Sequence, residues 1–203
     1  MKQLISCLLL TAAIGCGSQD TKTSSPDTNA DENNQSAPGT AAETKSEKPA
    51  PPLIDIFTAA GSGNLLVINQ HIAAGTDLNQ RTGDEQKSTP LIIAITFGQE
   101  TTAKALITGK ADLNLKNKDG NTALSVAAFL GYGNIVQLLL EAGADRNIKN
   151  NDGATALDIV QTPWNQIKPI YDYINGILFQ PLGLPLDYER IQAARPKIAE
   201  MLR

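Results

Sequence analysis

Between Asn121 and Gly153 two apolar runs are separated and followed by polar breaks. Ala123 to Leu130 is short and apolar, with Leu124, Ala127 and Ala128 at helical spacing. Its small alanines allow a second helix to approach closely. Gly131-Tyr132-Gly133 interrupts the run, as a tight helix–helix turn requires. Asn134 is expected to cap the second helix, in which Ile135, Val136, Leu139 and Leu140 share one stripe. Gly143 supplies the left-handed residue that ends it. Ala144 to Gly153 is rich in Asn, Asp and Gly and predicts an extended turn. A helix pair of this kind cannot bury its stripe alone and needs neighbours or caps.

The neighbours are present. Thr122-Ala123-Leu124 recurs 33 positions on as Thr155-Ala156-Leu157, and at the same step back as Thr89-Pro90-Leu91. Gly131 steps back to Gly98, and Asp145 and Asn147 step back to Asp112 and Asn114. A fixed period of this size marks stacked supersecondary units. Pattern, spacing and residue types together resemble the ankyrin repeat. The resemblance implies an all-α solenoid of about four helix-turn-helix repeats, and the chain's own residues after Pro163 split the last one with an inserted helix. The repeats fall at about 53–79, 89–120, 121–153 and 154–203, with the insertion at 163–186.

Each repeat departs from the model unit in its own way. In the first, Ile56, Ala59 and Ala60 form the first-helix core, Gly63-Asn64 the turn, and Val67, Ile68 and Ile72 the second helix. Leu53-Ile54-Asp55 replaces the Thr-Pro-Leu start, as suits a terminal repeat with a polar outer face. His71 stands where the third repeat has Leu139. It reads as a packed histidine of the capping repeat, because no nucleophile or carboxylate cluster shares its face. Two extra residues lie between Gln80 and Ser88, on the face where solenoids carry their insertions. Repeat two has a weaker second-helix start at Thr101-Thr102-Ala103, and Lys110 where repeat three has Gly143. In repeat four, Pro163-Trp164 ends the first helix where a glycine turn was due. Asn165 to about Gln180 predicts an inserted amphipathic helix, and Pro181 to Pro185 a loop. Asp187 then caps a final helix running to Leu202, which closes the stack.

The first 16 residues have a different character. Lys2 precedes an apolar core from Leu4 to Ile14, too short to span a bilayer as a mature helix. It ends Ala13-Ile14-Gly15-Cys16, which resembles a bacterial lipobox, with Ala13 where leucine is commoner. That resemblance implies cleavage before Cys16, a lipid on its thiol and, with Gly17 following, a place at the outer membrane. An ordinary secretory signal cut nearby is the alternative. Residues 17–52 are polar and Pro-containing, cannot offset their ordering entropy by burial, and predict a tether. Coil scaling gives it a span of about 30 Å. The repeat domain is then 53–203.

Composition narrows the function. The chain has 203 residues and a formal net charge of -4, too mild for nucleic acid or for strong attraction to anionic lipid. Only Cys7 and Cys16 are cysteines, so the domain has no disulfide framework. No metal-spaced His/Cys set, phosphate loop or paired nucleophile and base is present, so neither enzyme, metal nor cofactor is expected. The ankyrin resemblance implies recognition of another protein through turn tips and first-helix ends. Carried over, these positions are Thr96 and Phe97 in repeat two. In repeat three they are Lys118, Asp119, Asn121, Phe129, Leu130 and Lys149, and Asn151 and Asp152 begin repeat four's turn. Phe97, Phe129 and Leu130 would form an apolar patch rimmed by polar tips. The insertion leaves the stack beside this patch, at Trp164, and either covers it or leaves it free. The expected protein is thus a monomeric interaction domain, bound to the membrane through its lipid alone. A small-ligand or peptide receptor, with its pocket between the inserted helix and the repeats, is the alternative.

Overall fold

The computed structural model describes residues 49–203. The expected signal segment, Cys16 and the expected tether up to residue 48 lie outside the described residues. The described part is helical, without strands, and its helices are α1 (Ile56–Ser62), α2 (Leu65–Ala73), α3 (Pro90–Thr96), α4 (Glu100–Thr108), α5 (Ala123–Phe129), α6 (Gly133–Glu141), α7 (Ala156–Gln161), α8 (Trp164–Ile174) and α9 (Tyr188–Leu202). A π-helical turn, Asn175–Phe179, continues α8. None of the described helices is long and apolar enough to cross a membrane.

Two rows of helices form the stack. In one, α1, α3, α5 and α7 pack in sequence; in the other, α2, α4, α6 and α9 do the same. The final helix therefore fills the second-helix place of repeat four, and α7 pairs with it across the insertion. The core runs unbroken along the stack, with Ile68, Leu106, Leu139 and Ile198 buried along the second row. Small residues set the spacing. At Gly131 a Cβ would lie 3.0 Å from the Cα of Ile191, and φ is +72°, so both the close approach of α9 and the turn require glycine.

The recurring threonine is the helix cap. Thr89, Thr122 and Thr155 accept from the amides of Ile92, Ser125 and Asp158, and the last two close capping boxes. In repeat one Asp55 does this work, accepting from Phe57 and Thr58. The expected cap at Asn134 is corrected. Helix α6 begins two residues earlier than a cap at Asn134 would place it, so Asn134 lies inside its first turn and Tyr132 holds the cap position. Asn64 does cap α2, through the amide of Val67.

Polar rungs join the turns. The Asn79 side chain accepts from the amide of Asp112 at 2.8 Å, and Asn114 from that of Asp145 at 3.0 Å. Further out, Lys118 donates its amide to Gln86 and Asn151 to Asp119. In the later turns one asparagine closes the loop: the Asn117 side-chain Oδ1 accepts from the amides of Asp119 and Asn121, and the Asn150 Oδ1 from those of Asp152 and Ala154. The longer first turn splits this task. Asp84 accepts from Gln86, Thr82 accepts from Ser88, and the Thr82 hydroxyl joins the two by donating to Asp84 at 2.6 Å.

His71 is buried, with Nε2 donating to the Ile54 carbonyl at 2.8 Å and Nδ1 3.0 Å from the Thr76 hydroxyl. It fastens the segment before α1 onto α2.

Two stability outcomes are expected. Leu139 is fully buried at the central interface, so Leu139→Ala lowers unfolding free energy by about 2–5 kcal/mol in urea melts. Lys110 holds φ +69° where its counterparts Gly75 and Gly143 hold +65° and +91°. The left-handed penalty of about 1–2 kcal/mol exceeds the backbone freedom glycine gives the unfolded chain, about 0.4–1 kcal/mol. Lys110→Gly should therefore stabilise by about 0.5–1 kcal/mol in the same assay.

Candidate functional site

Two surfaces carry the expected contact residues, and α5 separates them. Its seven residues rise about 10 Å, at 1.5 Å each. The turn tips sit at its N-terminal end; Phe129 and Leu130 sit at its C-terminal end. The expectation of one apolar patch rimmed by the tips is thereby corrected.

At the tips, Lys118, Lys149, Asn151 and Asp152 are exposed. Lys118 pairs with Glu85 of the preceding turn at 3.1 Å, and such an exposed pair contributes about 0–1 kcal/mol. The Asn151 side chain donates to the Lys118 carbonyl at 2.8 Å. Asp119 and Asn121 are buried within the turns, where Asn121 accepts from the Asn150 side chain at 3.3 Å. They hold the tips in place rather than presenting themselves. Asp158 is held below the usual carboxylate range, first by the Thr155 amide and hydroxyl, with Lys149 adding to the effect.

At the other end the insertion covers the expected apolar patch. Phe129 and Leu130 are buried, and the Tyr171 ring of α8 stacks on Phe129 with centroids 4.3 Å apart. Trp164 and Tyr188 extend this cluster around Tyr171, at 5.3 and 6.3 Å. The reason lies in the end of α5, whose last carbonyls have no partner within the helix. The Tyr171 hydroxyl donates to the Phe129 carbonyl. Arg190 donates to Leu130 at 3.1 Å and Gly131 at 3.0 Å. Arg195 treats α7 alike, donating to Ile159 at 3.2 Å and to Thr162. Arg195 is only 6% exposed, and the negative end of α7 offsets its buried charge. Trp164 is itself packed against Tyr171 and Tyr188.

An open groove lies instead between the repeat turns and the loop before α9. Phe97, Tyr132, Phe179, Leu184 and Pro185 give it apolar walls, with Asp187 and Arg190 as its charges, around about 280 Å³. It continues past Tyr132 and Arg190 towards Glu100 and Asn134. The Arg190 guanidinium lies 4.9 Å from the Tyr132 ring centre. Burial pushes the Tyr132 hydroxyl's pKa up, against the attraction of Arg190. Of the expected residues only Phe97 lines this groove. Thr96, half-buried, turns its hydroxyl back to the Ile92 carbonyl. Tyr132, Leu184 and Arg190 were not anticipated. The available signal was the gathering of Trp164 and three of the four tyrosines, Tyr171, Tyr173 and Tyr188, within the insertion and the start of α9. Among the described residues no group of His, Cys, Asp or Glu is placed to hold a metal ion.

Tyr171 makes the cover sensitive to pH. Burial pushes its pKa up to about 12, against an ordinary value of 10.0, although Arg195 pulls the other way. Between these values the folded chain binds more protons than the unfolded one, so stability falls as pH rises. The contribution is intact below pH 10 and is lost as pH passes 12. The shift corresponds to about 2–3 kcal/mol. Urea melts across this range should show the Tyr171→Phe protein less stable than the native one by about 1 kcal/mol near neutrality, the two crossing between pH 10 and 12, and the variant more stable above that range.

Comparison with known families matches residues 56–159 to ankyrin repeats, in three copies. No curated protein matches the chain. The match starts in α1 and ends in α7, where the insertion leaves the stack. On the period, the caps, the double row of helices and this match, the chain belongs to the ankyrin-repeat family.

Proposed function

We propose that this chain is a non-enzymatic protein-binding module, held at a bacterial envelope membrane, the outer one, by a lipid on Cys16. The observation that carries the binding reading is the row of turn tips. Successive turns are locked to one another by the Asn79–Asp112 and Asn114–Asp145 rungs, yet present different exposed side chains. A rigid frame with variable tips suits recognition of a folded surface, because little ordering entropy remains to be lost on binding. Lys118, Lys149, Asn151 and Asp152 are the contact residues in this reading. The lipid reading is supported by the Ala13-Ile14-Gly15-Cys16 sequence and the polar stretch after it.

A second reading, a peptide or small-ligand receptor, is favoured by the groove at Phe97, Tyr132 and Leu184. It combines apolar walls with the charges of Asp187 and Arg190 at its rim.

Crosslinking capture from intact envelopes separates the two. A protein captured by the native chain should be lost about tenfold or more with Lys118→Ala/Lys149→Ala, at unchanged melting temperature, a change worth about 1.4 kcal/mol. Loss with Leu184→Asp instead would move the contact to the groove. Capture indifferent to both changes would overturn both surfaces. The mass of the mature chain tests the anchor: a diacylglyceryl adduct is expected on Cys16 and absent from Cys16→Ser.

A further inference from the structure

The turns between the repeats carry a row of positive charge. Backbone bonds fix which residues are equivalent. The amides of Thr82, Asn117 and Asn150 donate to the carbonyls of Ser88, Asn121 and Ala154, so each pair closes the same turn. The residue before each closing amide is Arg81, Lys116 or Lys149, and all three are exposed. Successive turns touch directly, because Lys118 donates its amide to the Gln86 carbonyl and Asn151 to that of Asp119. Packed helices lie about 8–10 Å apart, so equivalent residues of neighbouring repeats recur at about that step. Arg81 also reaches along the row, donating Nη1 to the Lys87 carbonyl at 3.2 Å and to the Lys116 carbonyl. Its cation is thereby held beside the next one.

The acids of the same turns leave this row uncompensated. Glu85 pairs with Lys118, Asp84 accepts from the Gln86 amide and the Thr82 hydroxyl, and Asp119 is buried. Asp158 is taken up by the Thr155 amide and hydroxyl, and Asp152 stands exposed at the far end of the last turn. Among the described residues no carboxylate lies within ion-pair distance of Arg81, Lys116 or Lys149. A second row limits the shape of what could neutralise them. Asp77, Asp112 and Asp145 are exposed four residues before the cations, hence no more than about 14 Å away. Their Oδ1 atoms accept from the amides of Asn79, Asn114 and Asn147, which fixes the carboxylates in place. A broad anionic surface laid on the cations would meet these carboxylates too. A narrow acidic strand meets the cations alone.

We infer that Arg81, Lys116 and Lys149 form the docking line for an extended acidic segment of the partner protein, running along the stack across successive turns. This rests on the turn-tip reading proposed above and names the chemistry of its partner. An extended chain of the polyproline type returns a side chain to one side every third residue, about 9 Å on, which matches the step of the row. Exposed ion pairs are individually weak, so the row sets partner choice and register more than affinity.

The test titrates the full mature chain, at low salt, with two fluorescent peptides of one composition. One has glutamate at every third position; the other has its glutamates contiguous. The spaced peptide should bind at least about fivefold more tightly, and its anisotropy change should disappear by about 0.3 M salt. Lys116→Gln/Lys149→Gln removes two cations of the row and should weaken it about tenfold at unchanged melting temperature. Glu85→Gln/Lys118→Gln deletes the neighbouring ion pair without changing net charge and should leave binding within about twofold. Equal affinity for the two peptides, or equal losses in the two double variants, would reduce the row to general charge attraction and overturn the docking line. No peptide binding, while envelope capture still depends on Lys118 and Lys149, would overturn the acidic partner and leave the turn-tip reading standing. Lys116-dependent binding to phosphatidylglycerol vesicles in preference to either peptide would assign the row to an anionic lipid surface and overturn the docking line too.

Discussion

A pair of short helices with apolar residues on both sides cannot fold by itself, and this single constraint orders the chain. It is met in the middle by repetition: α3–α4 and α5–α6 are each buried between neighbours. At the C-terminal end repetition fails, because Pro163 forces Thr162 into extended backbone and stops α7. The second helix that α7 needs arrives only after α8, the π-helical turn and a loop. What brings it back is a set of unpaired carbonyls. Helices α5 and α7 end with acceptors that water alone would have to satisfy, and Tyr171, Arg190 and Arg195 satisfy them. Arg195 stays buried because it faces the C-terminus of α7 and the Tyr171 hydroxyl. The loop is tied down in the same manner, by the Asn175 side chain accepting from the Leu186 amide at 2.8 Å. The insertion therefore works as a cap built from donors.

Much of this was legible in the sequence. Thr89, Thr122 and Thr155 mark the first-helix starts, Gly98 and Gly131 the turns, and Asp187 the start of the closing helix, because local backbone chemistry dictates each of them. The pairing of α7 with α9 was legible too, since Pro163 removes a helix and Ile198 and Leu202 return one. Less legible was what the insertion covers. A period states which positions are equivalent, but Phe129 and Leu130 lost their exposure to Tyr171 and Arg190, at sequence separations of 42 and 60 residues. The groove was hidden for the same reason: Phe97, Tyr132 and Leu184 meet only once α9 is seated on Gly131. Asn134 misled because its residue type suits a cap, while the turn ended two residues earlier than its glycines suggested.

The two ends of the stack show what the same constraint demands and what it permits. At the C-terminal end α9 turns Glu189, Gln192, Lys197 and Glu200 outward and Ile191, Ile198 and Leu202 inward, as a terminal helix in water must. At the N-terminal end the pattern is reversed in one respect. The inward-facing position that holds Leu106 and Leu139 holds His71, a polar ring, while the outward positions hold leucines. His71 spends its hydrogen bonds on keeping Ile54 in place. Leu66 stands at the position held by Thr101 in α4 and Asn134 in α6, all three exposed, so the leucines of α2 lie on the side that every second helix shows to water.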